Sequence, residues 1–523
     1  MPALVKSAAS LFSENETLRI EVHGLREKIT RDEEQLSEYD AEIARLHEII
    51  RKLKREVFGP RRERWESAEQ ILLFFEPEGP KPAIDEPDLV EIKGFKRRRG
   101  KRRPLPANLP REVVVIDVGE HEKLNKDGSP RRVIGEEISE KLIREPAKIK
   151  VVEYHRLKYS APDEEPGVIV APAPPSILPK SIASSSLLAH IITNKYADGL
   201  PLYRQEEMFE RDGIEIPRNT MARWIVQTSQ ACLGIWNALE ERLMEQPYVS
   251  CDETRVQVLK EEGRKANSQS WMWVRGTPAA KEKIVLFDYD SSRSGKVAER
   301  LFAEYQGYLQ CDGFAGYNAA QKSGLTRLGC AMHSRRKFFD AKEVGASKGQ
   351  SLAAEGLKYF KKLFDVEKMA KEFSPEDRFA LRLKDAAPVW GEMKAWADKH
   401  YGMVPPKSKI GEAFHYLIEQ YQYLRNYLLD GRLEIDNGFA ERAIKYFAIG
   451  RNNWLFADTV GGAEASSVFY SFVVTAKLNG VNPYDALKKI FDEVPLAKTV
   501  DDYERISHAL TSKPPPRMER VLV

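Results

Sequence analysis

The longest regular pattern of apolar residues lies between residues 11 and 57. Apolar side chains recur there at alternating steps of three and four residues, which is the heptad spacing of a coiled coil. One seam position holds Val22, Ile29, Leu36, Ile43, Ile50 and Val57, and the other holds Leu11, Leu18, Leu25, Tyr39, Leu46 and Leu53. β-Branched residues opposite leucine favour a parallel two-stranded coiled coil, interrupted by Asn15 and Asp32. The pattern predicts a homo-oligomer, at least a dimer; the alternative is a helix packed on its own chain.

Residues 111–170 alternate apolar and polar positions in short runs such as EVVVID and KIKVVEYHRLKYSA. Alternation of this kind is typical of strands. It predicts a small β module that ends at the rigid segment APAPPSILPK.

Residues 184–243 have helical periodicity, and LYRQEEMFERDGIEIPRNTMARWIV has the layout of a helix-turn-helix. One helix is predicted over Leu202–Arg211, Gly213 permits the turn, and a second helix begins near Pro217. The candidate DNA contacts on the second helix are Arg218, Asn219, Thr220 and Arg223. Two ordinary helices joined by a glycine turn are the alternative.

Between Tyr248 and about Ala341 the pattern predicts strand, strand, strand, helix, strand, strand. The segments are VSCDETRVQVL, SWMWVRG, KIVLFDYD, SGKVAERLFAEY, GYLQCDGF and TRLGCAMH. β-Branched and aromatic residues fill the strands. This succession matches a ribonuclease-H-like core, with Asp252 on the first strand and Asp312 at the end of the fourth. Adjacent central strands would bring the two carboxylates together.

A third carboxylate, Glu441, stands in a predicted helix after a loop marked by Asn437 and Gly438. Carboxylates from distant parts of a chain that converge on one pocket are what two-metal phosphodiester chemistry requires. The competing acids are Glu253, Asp288, Asp290 and Asp436. Strand alternation sends Glu253 to the face opposite Asp252. A helix-capping role is the alternative for Glu441.

The chain has 523 residues, enough for about three domains. It has no run of about 18 apolar residues that could span a bilayer, and its N-terminus turns acidic before a secretory core can form. We therefore expect a cytoplasmic protein without a membrane partner. The four scattered cysteines form no C-x-x-C pair and are expected to be reduced thiols: Cys232, Cys251, Cys311 and Cys330.

The net charge of +3 conceals a segregation of charge along the chain. An acidic, proline-rich stretch after Gly59 is followed by a basic block over residues 96–103. The pattern predicts an exposed linker with a cationic arm that neutralises phosphates; a solvated charge run is the alternative. The candidate phosphate contacts are Arg97, Arg98, Arg99, Lys101, Arg102 and Arg103.

Several long strings carry a family resemblance. They are RRPLPANLPRE, APAPPSILPKSIASSSLLAHIITNKYADGLPLYRQEEMF, CDETRVQV, QCDGFAGYN, CAMHSRRKFFDA, IDNGFAERAIKYFAIGRNNWLF and TAKLNGVNPYDAL. In these strings the chain resembles the IS66 family of bacterial insertion-sequence transposases almost from end to end. The resemblance implies a DDE transposase in which Asp252, Asp312 and Glu441 match the acidic triad and hold two Mg²⁺ or Mn²⁺ ions. Its implied partners are transposon ends, target DNA and small accessory proteins encoded beside the gene.

The resemblance also implies a mostly helical insertion over residues 342–430. After Glu441, candidate contacts to phosphate or to an unpaired base are Arg442, Lys445, Arg451 and Trp454, with a core role as the alternative for Trp454. Cys330 and His333 also match family wording, but two ligands do not close a zinc site. A structural role is favoured for this pair, with DNA contact as the alternative for His333; Arg336, close by, is a further candidate DNA contact.

One departure from the family concerns zinc. Typical members carry two cysteine pairs before the catalytic core, whereas this chain reads KLNKDGSP near Asn125–Pro130 and YSAPDEE near Ser160–Glu165. No structural zinc is therefore expected. We expect the β module to rely on apolar packing, aided by Val151, Val152 and Tyr154, or to be loosely folded.

The expected fold class is multidomain α+β. Its predicted parts are a coiled-coil helix (1–58), a proline-rich and basic linker (59–110), the β module (111–180), the helix-turn-helix region (181–245), the first part of the ribonuclease-H-like core (246–341), the helical insertion (342–430), the core completion with the Glu441 helix (431–495) and a tail (496–523). The predicted function is metal-dependent DNA cleavage and strand transfer by a bacterial, nucleoid-associated transposase. The alternative is a transposase-derived DNA-binding or regulatory protein that no longer cuts.

Overall fold

The computed structural model describes residues 89–92, 95–98, 149–160, 168–170, 172–344 and 351–512. The chain divides into two compact units, the smaller spanning Pro60–Ala173 and the larger containing Pro174–Val523. The coiled coil predicted over residues 11–57 lies outside the described residues, as does the basic arm from Arg99 to Arg103. In the described part of the chain, no helix has the length and apolar content needed to cross a bilayer.

The smaller unit contains two short antiparallel hairpins. β1 (Leu89–Ile92) pairs with β2 (Phe95–Arg98), and β3 (Lys158–Ser160) pairs with β4 (Val168–Val170). The sequence predicts an irregular linker where the first hairpin forms, so that prediction is corrected for these strands. Arg97 and Arg98 of the predicted arm stand on β2.

Residues 149–157 precede β3 and are not part of a strand, although the alternation of their side chains predicts one. Val151, Val152 and Tyr154 are 88%, 56% and 68% exposed. No described strand pairs with this segment. Among the described residues these three side chains do not pack in a core, and their part in holding the β module together stays a prediction.

Among the described residues of the larger unit, four helices precede the central sheet: α1 (Ser185–Tyr196), α2 (Leu202–Arg211), α3 (Arg218–Ala231) and α4 (Leu233–Met244). The predicted bounds of α2 are confirmed, Gly213 takes a φ of +75° at the turn, and α3 begins directly after Pro217. The buried amide of Gln205 on α2 donates to the carbonyls of Ile191 and Leu200 at 3.2 and 3.1 Å. The two-helix geometry is therefore present, and its contact with DNA stays a prediction.

The central sheet is mixed and has five strands. The segment contains β5 (Tyr248–Val256), β6 (Val258–Lys260), β7 (Ser270–Gly276), β8 (Val285–Asp290), α5 (Gly295–Leu301), β9 (Tyr308–Gln310) and β10 (Thr326–Leu328). The strand order is β10–β9–β5–β7–β8. β5, β7 and β8 form an antiparallel meander, whereas β9 runs parallel to β5 and β10 runs parallel to β9. The predicted succession of three strands, a helix and two strands is confirmed, with β6 as an additional short strand outside the sheet.

The helices that follow the sheet build a second core. They are α6 (Ala331–Val344), α7 (Leu352–Met369), α8 (Pro375–Leu381), α9 (Ala387–Tyr401) and α10 (Lys409–Arg425). The ring of Phe338 lies at the centre, with the rings of Phe360, Trp396 and Phe414 at centroid distances of 5.9, 6.0 and 5.6 Å. The insertion implied by the family resemblance is thus helical in its described part.

The remaining elements return to the sheet. They are α11 (Gly438–Trp454), β11 (Ala457–Thr459), α12 (Val460–Leu478), α13 (Pro483–Glu493) and α14 (Val500–Ser507). β11 pairs with β6, α11 packs on β5 and β7, and α12 packs on β8. α12 is buried along most of its length and has small or apolar residues on all sides, as expected of a core helix.

Side chains of α12 and of its C-terminal cap accept hydrogen bonds from backbone N–H groups at the edge strand β8. The backbone N–H groups of Val285 and Phe287 donate to the hydroxyls of Thr475 and Ser471 at 3.0 and 2.8 Å. Asn479 continues the row, accepting from the N–H of Lys283 at 2.9 Å. Two strand residues advance about 6.6 Å and four helical residues about 6.0 Å, so the two spacings match. The edge is thereby closed to pairing with another chain.

The substitutions Ser471→Ala and Thr475→Val should each lower the free energy of unfolding by about 1–3 kcal/mol, because each leaves a buried strand N–H without an acceptor. Urea unfolding measures the loss. The matched control is Ser467→Ala, since the Ser467 hydroxyl donates to the Glu464 carbonyl within the same helix. Its cost should stay below about 0.5 kcal/mol; equal losses in all three variants would contradict the role assigned to the hydroxyls.

Candidate active site

Asp252 and Asp312 come from neighbouring parallel strands. Ser250 of β5 lies opposite Gln310 of β9. Asp252 and Asp312 each lie two residues further along their own chains, so the register carries both carboxylates to the same end of the strand pair. The Asp312 carboxylate accepts from the N–H of Phe314 at 2.9 Å, which fixes it at the turn after β9.

Glu441 lies in the first turn of α11, and the segment before that helix is bound to the sheet. The Asn437 side chain donates to the carbonyl of Cys251 at 2.8 Å, next to Asp252. The Asn437 N–H donates to Sγ of Cys330 at 3.2 Å, after the end of β10. These two hydrogen bonds fix the start of α11 against β5 and β10.

The three carboxylates interact electrostatically. Burial raises the pKa of Asp252 well above its usual value, and the negative charges of Glu253, Asp312 and Glu441 raise it further. Burial also raises the pKa of Glu441, an effect opposed by His333 and increased by Asp436. The structure therefore brings the three predicted residues into one electrostatic neighbourhood.

The competing acids are already engaged by other groups. Glu253 forms an ion pair with Arg293 at 2.5 Å and accepts a hydrogen bond from the hydroxyl of Tyr317. Asp288 accepts two hydrogen bonds of 3.0 Å from the buried guanidinium of Arg275. Two further acids have their own partners: Asp290 pairs with Arg300 at 3.0 Å, and Asp436 accepts from the N–H of Gly438 at 2.9 Å.

Arg327 is a positioning residue that the sequence analysis missed. Its guanidinium donates to the carbonyl of Asp312 at 2.7 Å, to Sγ of Cys311 at 3.2 Å and to the side chain of Asn318. Arg327 is almost fully buried in β10. A lone arginine within a short apolar strand, as in TRLGC, is the signal that could have identified it, because a buried charge requires partners.

Cys330 and His333 lie beside Glu441. Oε1 of Glu441 is 3.9 Å from Sγ of Cys330 and 3.6 Å from Nδ1 of His333. Burial raises the pKa of the Cys330 thiol well above its usual value. Both residues that the sequence left without a settled role are therefore neighbours of the third predicted carboxylate.

The remaining candidate DNA contacts divide into two groups. Exposed or half-exposed side chains are Arg218, Asn219, Thr220 and Arg223 on α3, Arg336 on α6, and Arg442 and Lys445 on α11. Arg451 and Trp454 are instead tied into the fold. Arg451 donates to the hydroxyl of Thr254 at 3.0 Å, and Trp454 packs edge-on against Phe447 at 5.5 Å. These contacts support the core alternative for Trp454 and give Arg451 a structural partner on β5.

Comparison with known proteins identifies the class of protein. Residues 180–465 match the family described as "Transposase IS66 family", and residues 45–114 match the one described as "Transposase C of IS166 homeodomain". The chain is 30% identical to the uncharacterized protein y4qI of Sinorhizobium fredii (strain NBRC 101917 / NGR234) over 475 residues, 86% of each chain. It is 31% identical to the uncharacterized protein y4jD of the same organism over 402 residues, 75% of this chain and 78% of that one.

These matches define a transposase, and such a role implies DNA binding. The chain belongs to the IS66 transposase family.

The raised pKa of Asp252 predicts a pH-dependent effect of Asp252→Asn on the metal-free protein. The carboxyl of an unfolded aspartate ionises near pH 4, so above that pH the native state is penalised for holding a buried charge. Asp252→Asn should therefore stabilise the protein at pH 7, and the gain should vanish below about pH 4. Urea unfolding in EDTA at both pH values measures the difference.

Asp290→Asn is the matched control, because Asp290 has a cationic partner in Arg300. It should give no gain at pH 7. A destabilising effect of Asp252→Asn that grows between pH 4 and pH 7 would contradict the electrostatic description of the site.

Proposed function

We propose that this transposase is a DDE-type enzyme that cleaves DNA at the ends of its element and joins the freed ends to target DNA. The observation that carries the proposal is the convergence of Asp252, Asp312 and Glu441. The shared register of β5 and β9 supports the pairing of the two aspartates, and the effect of Glu441 on the pKa of Asp252 supports its inclusion. Of the other acids near this end of the sheet, Glu253 has a cationic partner in Arg293 and Asp288 has one in Arg275.

The strand arrangement supports a ribonuclease-H-like core. The strands β5, β7 and β8 form an antiparallel meander whose first member, β5, occupies the middle of the sheet. β9 and β10 then extend the sheet on the other side of β5, parallel to it. Asp252 belongs to the central strand of this arrangement and Asp312 follows its parallel neighbour.

The three carboxylates suit hard divalent cations. Their donors are all oxygen atoms, which Mg²⁺ and Mn²⁺ prefer. Burial raises the pKa of Asp252 most, and the negative charges of its neighbours raise it further; a cation among these groups would relieve that repulsion. Asp252, Asp312 and Glu441 would hold the ions, which would supply an activated water and stabilise the attacking and leaving oxygens of an in-line displacement.

Basic side chains next to Glu441 could bind the phosphate that is cut. Burial raises the pKa of Glu441, and the positive charges of Arg336 and Lys445 oppose that rise. Both side chains are exposed, as is Arg442. An exposed cation beside a carboxylate site can bind the phosphodiester through charge-assisted hydrogen bonds. The exposed residues of α3 would then hold DNA further from the cut.

The assembly remains part of the proposal. Dimerisation through residues 11–57, accessory proteins encoded beside the gene and association with the bacterial nucleoid are expected for a protein that must bring two DNA ends together.

Mg²⁺-dependent cleavage and joining of the element's terminal DNA should fall by at least about 100-fold in Asp252→Ala, Asp312→Ala and Glu441→Ala. Loss of a group that merely orients a metal ligand already costs about 10- to 100-fold. Asp290→Ala is the matched control and should keep near-wild-type activity. Equal activity in the wild type and the three triad variants would remove the assignment. A wild type that binds the ends and never cuts them would favour the regulatory alternative.

Arg218→Ala and Arg223→Ala should each reduce the salt dependence of DNA binding. A phosphate contact contributes about 0.9 to the slope of log K against log [salt], so each variant should lower that slope by about 1. Binding titrations at several salt concentrations measure it. Glu215 is exposed in the segment before α3. Its replacement by an uncharged side chain, Glu215→Gln, is the control and should not reduce the slope. Unchanged slopes in both arginine variants would exclude α3 from the interface.

A further inference from the structure

A thiol, an imidazole and a carboxylate meet where α6 and α11 begin. Cys330 immediately precedes α6, His333 lies in the first turn of α6, and Glu441 lies in the first turn of α11. Their ligand atoms all lie within 4.8 Å of one another. Cys330 is fully buried, whereas His333 and Glu441 are half-buried, so the cluster is reachable from one side.

The spacing of these atoms is close to that of a tetrahedral metal site. Zinc binds sulfur at about 2.3 Å and nitrogen or oxygen at about 2.0–2.2 Å, which at tetrahedral angles separates the ligand atoms by about 3.3–3.6 Å. The observed distances from Oε1 of Glu441 are 3.6 Å to Nδ1 of His333 and 3.9 Å to Sγ of Cys330. Two of the three spacings are thus within a few tenths of an ångström of the tetrahedral values, and the third, between Sγ of Cys330 and the His333 ring, is at most 4.8 Å.

The Cys330 thiol and the His333 ring both face the Glu441 carboxylate. Nδ1 of His333 is a buried atom without a hydrogen-bond partner. Sγ of Cys330 accepts from the N–H of Asn437 at 3.2 Å, which fixes the sulfur beside the start of α11. A buried nitrogen left unpaired is costly, and a bound ion would satisfy it.

We propose that Cys330, His333 and Glu441 form a three-ligand site for a thiophilic divalent cation such as Zn²⁺, and that its occupancy withdraws Glu441 from the Mg²⁺ site. The first part stands on the cluster alone, whereas the second rests on the proposed function. On binding, the Cys330 thiol gives its proton to solvent and its sulfur bonds to the ion. One water completes the tetrahedron.

The two metal sites differ in chemistry and share one ligand. Thiolate and imidazole select Zn²⁺ over Mg²⁺, whereas Asp252 and Asp312 offer only oxygen. Because Oε1 of Glu441 is the atom nearest to both Cys330 and His333, an ion in the cluster would hold the same carboxylate that the proposed Mg²⁺ site requires. Zn²⁺ is therefore expected to inhibit the transposase reaction at concentrations too low for it to bind the other thiols of the chain.

Co²⁺ is the probe for the site, because it takes the place of Zn²⁺ and its bond to a thiolate produces a near-ultraviolet charge-transfer band. The full-length, EDTA-treated protein should show that band with about one equivalent of Co²⁺, together with the strong visible absorption of tetrahedral cobalt. Cys330→Ala should abolish the band. Cys232→Ala, which removes another fully buried thiol, should keep it. A wild type without the band, or a Cys330→Ala protein that retains it, would overturn the proposal.

A second variant guards against misfolding of Cys330→Ala. His333→Gln changes a half-buried side chain and should weaken Co²⁺ binding at least about 10-fold while keeping the helical circular dichroism. Unchanged Co²⁺ affinity in a folded His333→Gln protein would count against the site. Asp312→Asn separates the two proposals, because it should lose Mg²⁺-dependent cleavage and keep the cobalt band.

The inhibitory consequence is tested by titrating Zn²⁺ into the Mg²⁺-dependent cleavage assay, with each protein normalised to its own rate without Zn²⁺. The midpoint of inhibition should rise at least about 10-fold in Cys330→Ala and stay unchanged in Cys232→Ala. Equal midpoints in wild type and Cys330→Ala would show that Zn²⁺ does not act through this cluster.

Discussion

The hydrogen bond from the Asn437 side chain to the carbonyl of Cys251 joins the helix that carries Glu441 to the strand that carries Asp252. The donor and acceptor atoms are 2.8 Å apart. In the sequence, the two residues are separated by the segment that forms the second helical core. The same asparagine donates its N–H to Cys330, at the end of β10. The site therefore depends on one buried residue whose side chain and backbone N–H hold the start of α11 against the sheet.

The arrangement of charge around the site follows from that connection. Acids that serve the fold have cationic partners, as Asp288 has Arg275 and Glu253 has Arg293. Asp252 instead faces other carboxylates, and its pKa is raised. Uncompensated negative charge at this site lowers the stability of the folded protein and raises its affinity for cations. Functional sites commonly reduce stability in this way. Cys330 and His333 extend the site by donors that prefer a different class of ion.

Local patterns predicted much of this structure. The alternation of apolar residues gave the strand succession from Tyr248, and Gly213 with Pro217 marked the bounds of α2 and α3, because these signals act over a few residues. Contacts across the fold could not be predicted. In the sequence, Asn437 indicates only a loop. Arg451 is predicted to bind phosphate, whereas in the structure it donates a hydrogen bond to Thr254. Val151 and Val152 have the alternation of a strand, yet no described strand pairs with their segment.

If Asp252, Asp312 and Glu441 act on one metal site, all three should contribute to Mn²⁺ binding. Electron paramagnetic resonance of the free ion measures that binding without DNA or activity. The wild type should bind Mn²⁺, and Asp252→Asn, Asp312→Asn and Glu441→Gln should each weaken binding at least about 10-fold. Mn²⁺ affinity unchanged by any one of these three substitutions would contradict a shared site.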